Sequence, residues 1–299
     1  MSRTLRSFVS ILPNFVSIIL GQNGLTYLVK RSPDLNFKAR LYGTEYFINV
    51  RGDYAVERLA TQRKAAKKDP FRGLKRLPLS GLNALDVGAN VGTISIGLAA
   101  LGAKRVFSIE PGPLSGRLLQ NVELNSLGQS ISLHKVGLSS KKSELFWAED
   151  KNNPGNAHLV SSENDINFGK ISTKFSTSDF IRVPVITLDD FVIENSIEDI
   201  GLIKIDVEGM EWEVIKGGVG AISKNLPFIL VETHRVSSDM MGHDFLTPMF
   251  YFFYELGYKS YSLNDDEVLL EFIYPNFEVD TFFIHPNSSF GKSRADVAA

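Results

Sequence analysis

The run Asn83-Ala84-Leu85-Asp86-Val87-Gly88-Ala89-Asn90-Val91-Gly92-Thr93-Ile94-Ser95 decides the fold. A short apolar stretch ends in a carboxylate, a glycine-bearing turn follows, and the small-residue apolar stretch Ile94 to Leu101 reads as a helix. That order is a first strand, a ligand loop and a first crossover helix in a doubly wound sheet. Gly88 and Gly92 lack a β-carbon, so the loop can approach a ligand closely and take left-handed dihedrals. The spacing, Gly-x-x-x-Gly preceded by Asp, differs from the Gly-x-Gly-x-x-Gly that cradles a pyrophosphate. An acidic strand end repels a diphosphate and suits a cationic ligand that carries an amino acid. S-Adenosylmethionine, with its ammonium and its sulfonium, is such a ligand. The loop therefore argues against a nicotinamide dinucleotide and for a methyl donor.

The segment Lys104-Arg105-Val106-Phe107-Ser108-Ile109-Glu110-Pro111 reads as a second strand ending in Glu110, twenty-four residues after Asp86. An acidic residue at about this distance accepts hydrogen bonds from the ribose hydroxyls of a nucleoside. The bland alternative makes both acids polar strand ends at the sheet rim; their spacing and order favour the ligand. The candidate cofactor residues are Asp86, Gly88, Ala89, Asn90 and Gly92 in the first loop, Glu110 and Pro111 after the second strand, and Gly137 and Leu138 after the third.

The chain has 299 residues, 43% hydrophobic and 22% charged, which is ordinary for a soluble globular protein and leaves room for one large domain with an appendage. A formal net charge of -2 gives no global electrostatic reason to expect nucleic acid. The basic pairs Arg63-Lys64 and Lys67-Lys68 are interrupted by other residues and read as solvated surface. There is no cysteine, which excludes disulfides, thiolate metal sites and cysteine nucleophiles. At the N-terminus, Arg3 and Arg6 precede the apolar run Phe8 to Leu20, broken by Pro13 and Asn14. It is shorter than the roughly 20 residues a bilayer span needs, and no small-x-small cleavage site follows it. A packed or partner-binding amphipathic helix is expected, in a cytoplasmic protein; weak peripheral membrane association through residues 8–20 is the alternative.

Residues 1–78 read as an N-terminal extension with short strands over Phe37 to Val50, a charged helix over Asp53 to Lys68, and a linker punctuated by Pro70, Gly73 and Pro78. Residues 79–299 carry the strand–helix alternation: a strand to Asp86, a helix from Ile94, a strand to Glu110, a helix from Pro113 to Leu127, and a strand over Ile131 to Val136. Between 140 and 180 the alternation stops. Glu144 to Ala148 looks like a hairpin strand, Asn152 to Asn156 a turn, and Asn164 to Ser178 is polar without period. So long an insertion reads as a lid or binding loop, its aromatics Phe146, Trp147, Phe168, Phe175 and Phe180 either anchoring it or stacking on a sugar. The alternation resumes with a strand to Asp206, a helix from Glu208 or Gly209 to about Ser223, a strand from Phe228 ending near His234, a helix over Phe245 to Leu256, and antiparallel strands from Lys259 to His285. The class is α/β: a mostly parallel sheet with helices on both faces and an antiparallel edge. Ligands of such sheets sit at the C-terminal strand ends, where Asp86, Glu110, Asp206 and His234 all fall.

Asp86-Val87-Gly88-Ala89-Asn90-Val91-Gly92, Glu110-Pro111, Lys204-Ile205-Asp206-Val207-Glu208-Gly209-Met210-Glu211 and Val231-Glu232-Thr233-His234 together resemble the FkbM-type methyltransferases, as do Asn153-Pro154-Gly155-Asn156 and Thr187-Leu188-Asp189. The resemblance covers roughly residues 80 to 285. It implies a class I, Rossmann-like methyltransferase fold with S-adenosylmethionine as cofactor, and O-methylation of a sugar, glycan or polyketide-type hydroxyl. An alcohol is a weak nucleophile at neutral pH, so a base should take its proton. In the class I strand order the ends bearing Asp206 and His234 are neighbours. Imidazole titrates near the working pH, which favours His234; Asp206 would orient it or act itself, with Glu208 beside them. Glu208 also suits a plain helix-dipole role, and Glu211 and Trp212 read as helix surface and packing. No metal is assigned, but a divalent ion on Asp206, Glu208, Glu232 and His234 is the alternative mechanism, and a non-catalytic cofactor-binding scaffold the second alternative. The identity of the acceptor and the oligomeric state are not legible.

Overall fold

The computed structural model describes residues 35–41, 44–50, 74, 77–148, 158–160, 181–234, 244, 246–263, 269–272 and 278–292. The expected helices at residues 8–20 and 53–68, the turn at 152–156 and the polar run at 164–178 lie outside them.

The sheet is laid down by apolar strands that alternate their side chains between two faces. The parallel strands are β3 (Asn83–Val87), β4 (Arg105–Ile109), β5 (Ile131–His134), β10 (Ile200–Ile205) and β11 (Phe228–His234); β12 (Lys259–Leu263), β13 (Leu269–Phe272) and β14 (Glu278–Ile284) complete the sheet. Their order across it is β13-β12-β14-β11-β10-β3-β4-β5. β14 runs antiparallel to β11, and β12 antiparallel to both β14 and β13. Chain order thus reverses between β3 and β10, which creates the switch-point crevice. This Rossmann-like sheet with an antiparallel edge is the class I methyltransferase arrangement.

Each face has its own core. Ala84, Val106, Leu202, Phe228, Leu230 and Phe282 pack against Ile96 and Leu98 of α1 (Thr93–Ala100) and against Leu118 and Val122 of α2 (Ser115–Leu124). Leu85, Ile203, Ile229 and Phe283 point the other way. They meet α3 (Leu188–Glu194), α4 (Glu211–Lys216), α5 (Val219–Asn225) and α6 (Leu246–Glu255) through Phe191, Val214, Ile222 and Phe253. Burying both faces explains why these strands read as nearly continuous apolar runs.

Two expectations are corrected here. The single helix drawn from Glu208 or Gly209 to about Ser223 is two helices, α4 and α5, broken at Gly217-Gly218. A β-carbon on Gly217 would overlap the Ser139 carbonyl, and one on Gly218 would overlap the Leu188 side chain, so the chain bends where backbone must pass close. Asp189 then caps the second piece, accepting from Gly220 N–H at 3.0 Å and Ala221 N–H at 2.7 Å. The insertion, expected to be irregular apart from a hairpin strand at Glu144 to Ala148, carries that strand within a second sheet in its described part. β7 (Ser143–Ala148) pairs with β8 (His158–Val160) and β9 (Ile181–Ile186), and β6 (Gly137–Leu138) joins β9. Trp147, Val183 and Val185 form its small core. Towards the N-terminus, β1 (Leu35–Leu41) and β2 (Thr44–Val50) form the expected strand pair, antiparallel from Leu35↔Val50 to Leu41↔Thr44.

Candidate active site

A polar row crosses the C-terminal end of the sheet. Lys204 on β10, Asp86 on β3 and Ser108 on β4 are register partners, and all three are buried. Lys204 Nζ lies 3.4 Å from Asp86 Oδ1 and 3.2 Å from Asp206 Oδ2, and donates to the Gly88 carbonyl at 2.7 Å. Ser95 Oγ, in the first turn of α1, donates to Asp86 Oδ2 at 2.5 Å and accepts from Ser108 Oγ at 2.7 Å. Burial opposes charge on Lys204, but Asp206 and Asp86 outweigh it and hold the ammonium above its ordinary range. Asp86 is fully enclosed, its carboxylate engaged by Lys204 and Ser95 beneath the loop that it introduces.

That loop closes on Glu110. Asn90 N–H donates to Glu110 Oε2 at 2.9 Å, and Gly112 N–H to Oε1 at 2.8 Å. Gly88 N–H and Ala89 N–H both reach the Ile109 carbonyl at 3.0 Å. The path needs left-handed backbone at Gly88 (φ 75°), Asn90 (φ 52°) and Gly92 (φ 87°). Gly88 could carry no side chain anyway, because a β-carbon there would overlap the Asp206 carbonyl. Burial pushes the Glu110 carboxyl up, while the Gly112 and Asn90 N–H groups and Lys204 pull it back. Pro111 sits half-buried next to the clamp. Gly137 and Leu138 are built into β6, where a β-carbon on Gly137 would crowd Leu159, and the Leu138 side chain packs in the core beside Phe191.

The loop after β10 carries the second group. Glu208 (φ 54°) and Gly209 (φ 107°) take successive left-handed conformations, which a non-glycine residue adopts only when its surroundings enforce it. Glu211 does the enforcing. Its Oε1 accepts from Val207 N–H and Gly209 N–H, each at 3.1 Å, and its Oε2 also accepts from Gly209 N–H at 3.1 Å. Its expected place on the helix surface is therefore wrong: it is 1% exposed, drawn inward because the strained loop needs an acceptor. Burial, opposed by those bonds, pushes its carboxyl up to about 7. Trp212 packs as expected, edge-on to Phe252 with ring centres 5.8 Å apart.

Asp206, Glu208 and Glu232 each offer a carboxylate oxygen, all within 4.8 Å of one another. The Asp206 side chain is 40% exposed and forms the open side of the group. The Asp206 charge, then burial, raise the Glu232 carboxyl well above the usual range; burial, then Asp206, raise Glu208. Three carboxylates this close cannot all stay ionised alone, so the group holds a proton or a cation at neutral pH. β10 and β11 are parallel neighbours, Ile205 opposite Val231, which puts Asp206 beside Glu232. His234 is the last residue of β11, opposite Glu278 on β14; its side chain lies outside the described residues.

Sequence reasoning thus located both loops but gave Lys204 and Ser108 no part, and entered Glu232 only as a metal ligand. One signal was available: a lone lysine at the end of the apolar strand Ile200–Ile205 has to be paired where it is buried.

The family described as the methyltransferase FkbM domain matches residues 86–260. The hexuronic acid methyltransferase AglP of Haloferax volcanii is 30% identical over 150 residues, half of this chain and 54% of that protein. The methyltransferase sdnD of Sordaria araneosa is 28% identical over 185 residues, 55% of this chain and 71% of that one. The chain thus spans only about half the length of the Haloferax relative. Among solved structures, methyltransferase FkbM from Methylobacillus flagellatus KT aligns over 78% of this chain and 55% of its own, at 18% identity and a TM-score of 0.46.

Proposed function

The chain belongs to the FkbM methyltransferase family, and from that premise we propose that it transfers a methyl group from S-adenosylmethionine to a hydroxyl of a sugar, glycan or polyketide-like acceptor. The observation that carries this reading is the Glu110 clamp. Its carboxylate is fixed by the N–H groups of Asn90 and Gly112, beside a glycine loop with no room for a side chain at Gly88. A carboxylate held by two donors keeps lone pairs for two more, which suits the diol of a ribose. Asp86, Gly88, Ala89, Asn90, Gly92, Glu110 and Pro111, with Gly137 and Leu138, form the cofactor side in this reading.

When bound, the cofactor supplies the activated methyl on its sulfonium. The chain's own residues bind, orient and manage the proton. The acceptor hydroxyl must lose its proton as it is methylated. In this reading Asp206, open to solvent and steadied by Lys204, or Glu208, raised towards the working pH, receives it. His234 at the end of the neighbouring strand is the third candidate. The hexuronic acid methyltransferase among the relatives supports a sugar acceptor.

A second reading rests on Asp206, Glu208 and Glu232. Three carboxylate oxygens within 4.8 Å of one another are a donor set suited to a hard divalent ion, which would hold two oxygens of an acceptor diol. One experiment separates the two readings: the purified protein is incubated with methyl-labelled S-adenosylmethionine and a glycan or lipid extract, with and without a chelator, and products are read by mass spectrometry. A labelled O-methyl ether formed both with and without the chelator supports the first reading. Loss of labelling with the chelator, restored by added divalent ion, supports the second. Label on nitrogen or carbon alone, or none at all, sinks the O-methyltransferase assignment.

A further inference from the structure

Trp147 is one of two tryptophans in the chain. It lies on β7 of the second sheet, paired with Leu159 of β8 and Ile181 of β9, and it is 7% exposed. The indole does more than fill that sheet's core. It rests on the backbone of Gly112 so closely that a β-carbon there would collide with the six-membered ring. Gly112 is the residue whose N–H holds Glu110 Oε1. The second sheet, an insertion in the chain, therefore touches the main sheet at the clamp itself. The indole N–H is buried and has no acceptor among the described residues. Buried tryptophan N–H groups nearly always find a partner, and among the described residues none supplies one here beside the clamp.

We propose that Trp147 is a cofactor-contacting residue: the second sheet forms a wall of the nucleoside pocket, and the indole N–H donates to the nucleoside part of the bound cofactor. Adenine ring nitrogens and ribose oxygens supply the acceptors that the described residues lack. This inference rests on the cofactor reading above. It moves Trp147 from loop anchor or sugar platform to the cofactor side. It also accounts for glycine at position 112, since any side chain there would displace the indole.

The test uses S-adenosylhomocysteine and 5′-methylthioadenosine, which share the nucleoside, with calorimetry and tryptophan emission. In a Trp212→Phe variant Trp147 is the sole tryptophan, and its emission, excited selectively over tyrosine, should change on titration with the Kd that calorimetry gives. Trp147→Phe keeps an aromatic ring on Gly112 but deletes the N–H, and it should weaken both ligands by the same factor, about 5- to 10-fold. A Trp147 emission that stays constant while calorimetry shows binding overturns the proposal. So does wild-type affinity in Trp147→Phe. If the unmodified protein binds neither ligand by calorimetry, the cofactor reading itself fails and takes this inference with it.

Discussion

Lys204 and Asp86 are register partners on adjacent strands and form an ion pair at 3.4 Å, with side chains 6% and 0% exposed. The same ammonium reaches Asp206 at 3.2 Å and the Gly88 carbonyl at 2.7 Å. One buried cation therefore joins the glycine loop after β3 to the carboxylate loop after β10. The two halves of the candidate site are set by a common charge.

Lys204→Met should destabilise the protein by about 3–5 kcal/mol, because it leaves Asp86 buried without a counter-charge. Adding Asp86→Asn should recover part of that loss. Urea unfolding of the two single variants and the double variant measures the coupling. Additive effects would mean that the pair carries no interaction of its own.

Glu110→Ala should weaken S-adenosylhomocysteine binding by about 1–3 kcal/mol, since the ribose hydroxyls lose a charged acceptor and two backbone N–H groups lose theirs. Calorimetry with S-adenosylhomocysteine, and with NAD as the control that should not bind, checks this. Unchanged affinity would remove Glu110 from the cofactor site.

Burial, then the neighbouring Asp206 and Glu211, raise Glu208 well above the usual carboxylate range. A base works only when deprotonated, so turnover should climb with pH across the neutral range as Glu208 loses its proton. Glu208→Gln should lower turnover about 10²- to 10⁴-fold and abolish the climb. A pH profile that keeps its shape in this variant would point instead to His234, whose replacement by Ala should then cost the same factor.

Glu211 makes stability depend on pH. Its carboxyl titrates at its ordinary value of 4.5 when unfolded and at about 7 when folded, so the folded state binds more protons between those values. The stability this adds is full below pH 4.5 and is lost as pH rises through about 7. Glu211→Gln does not titrate. Its stability relative to the native protein should therefore improve by up to about 3 kcal/mol across that window. Chemical denaturation at a series of pH values reads this directly; a flat difference would mean that Glu211 folds with its ordinary pKa.

Much of the scaffold was legible because it follows from local rules. The Asp86 strand, the Glu110 strand and the glycine loop and helix between them follow from apolar runs that end in acids and glycines. The break between α4 and α5 was not legible, because Gly217 and Gly218 read locally as mild helix weakeners. What makes them necessary is the approach of Ser139 and Leu188, which are distant in sequence. The second sheet was legible only in its strand at Glu144 to Ala148, for a similar reason: the other strands are short, and β6 and β9 pair across more than forty residues.

By itself the sequence determined the element order, the α/β class and the residues at the strand ends, because period, turn chemistry and acid spacing are written in neighbouring positions. Only the tertiary structure decided which charges meet. It turned Asp86 inward to Lys204, drew Glu211 under the strained loop, set Glu232 beside Asp206, and seated Trp147 on Gly112. Each contact joins a residue to a group on a different strand, loop or turn of the backbone. Strand register and close backbone approach fix the contacts of Asp86, Glu232 and Trp147, and both arise only when the sheets are assembled, whereas Glu211 bonds Val207 and Gly209 within a few residues of itself.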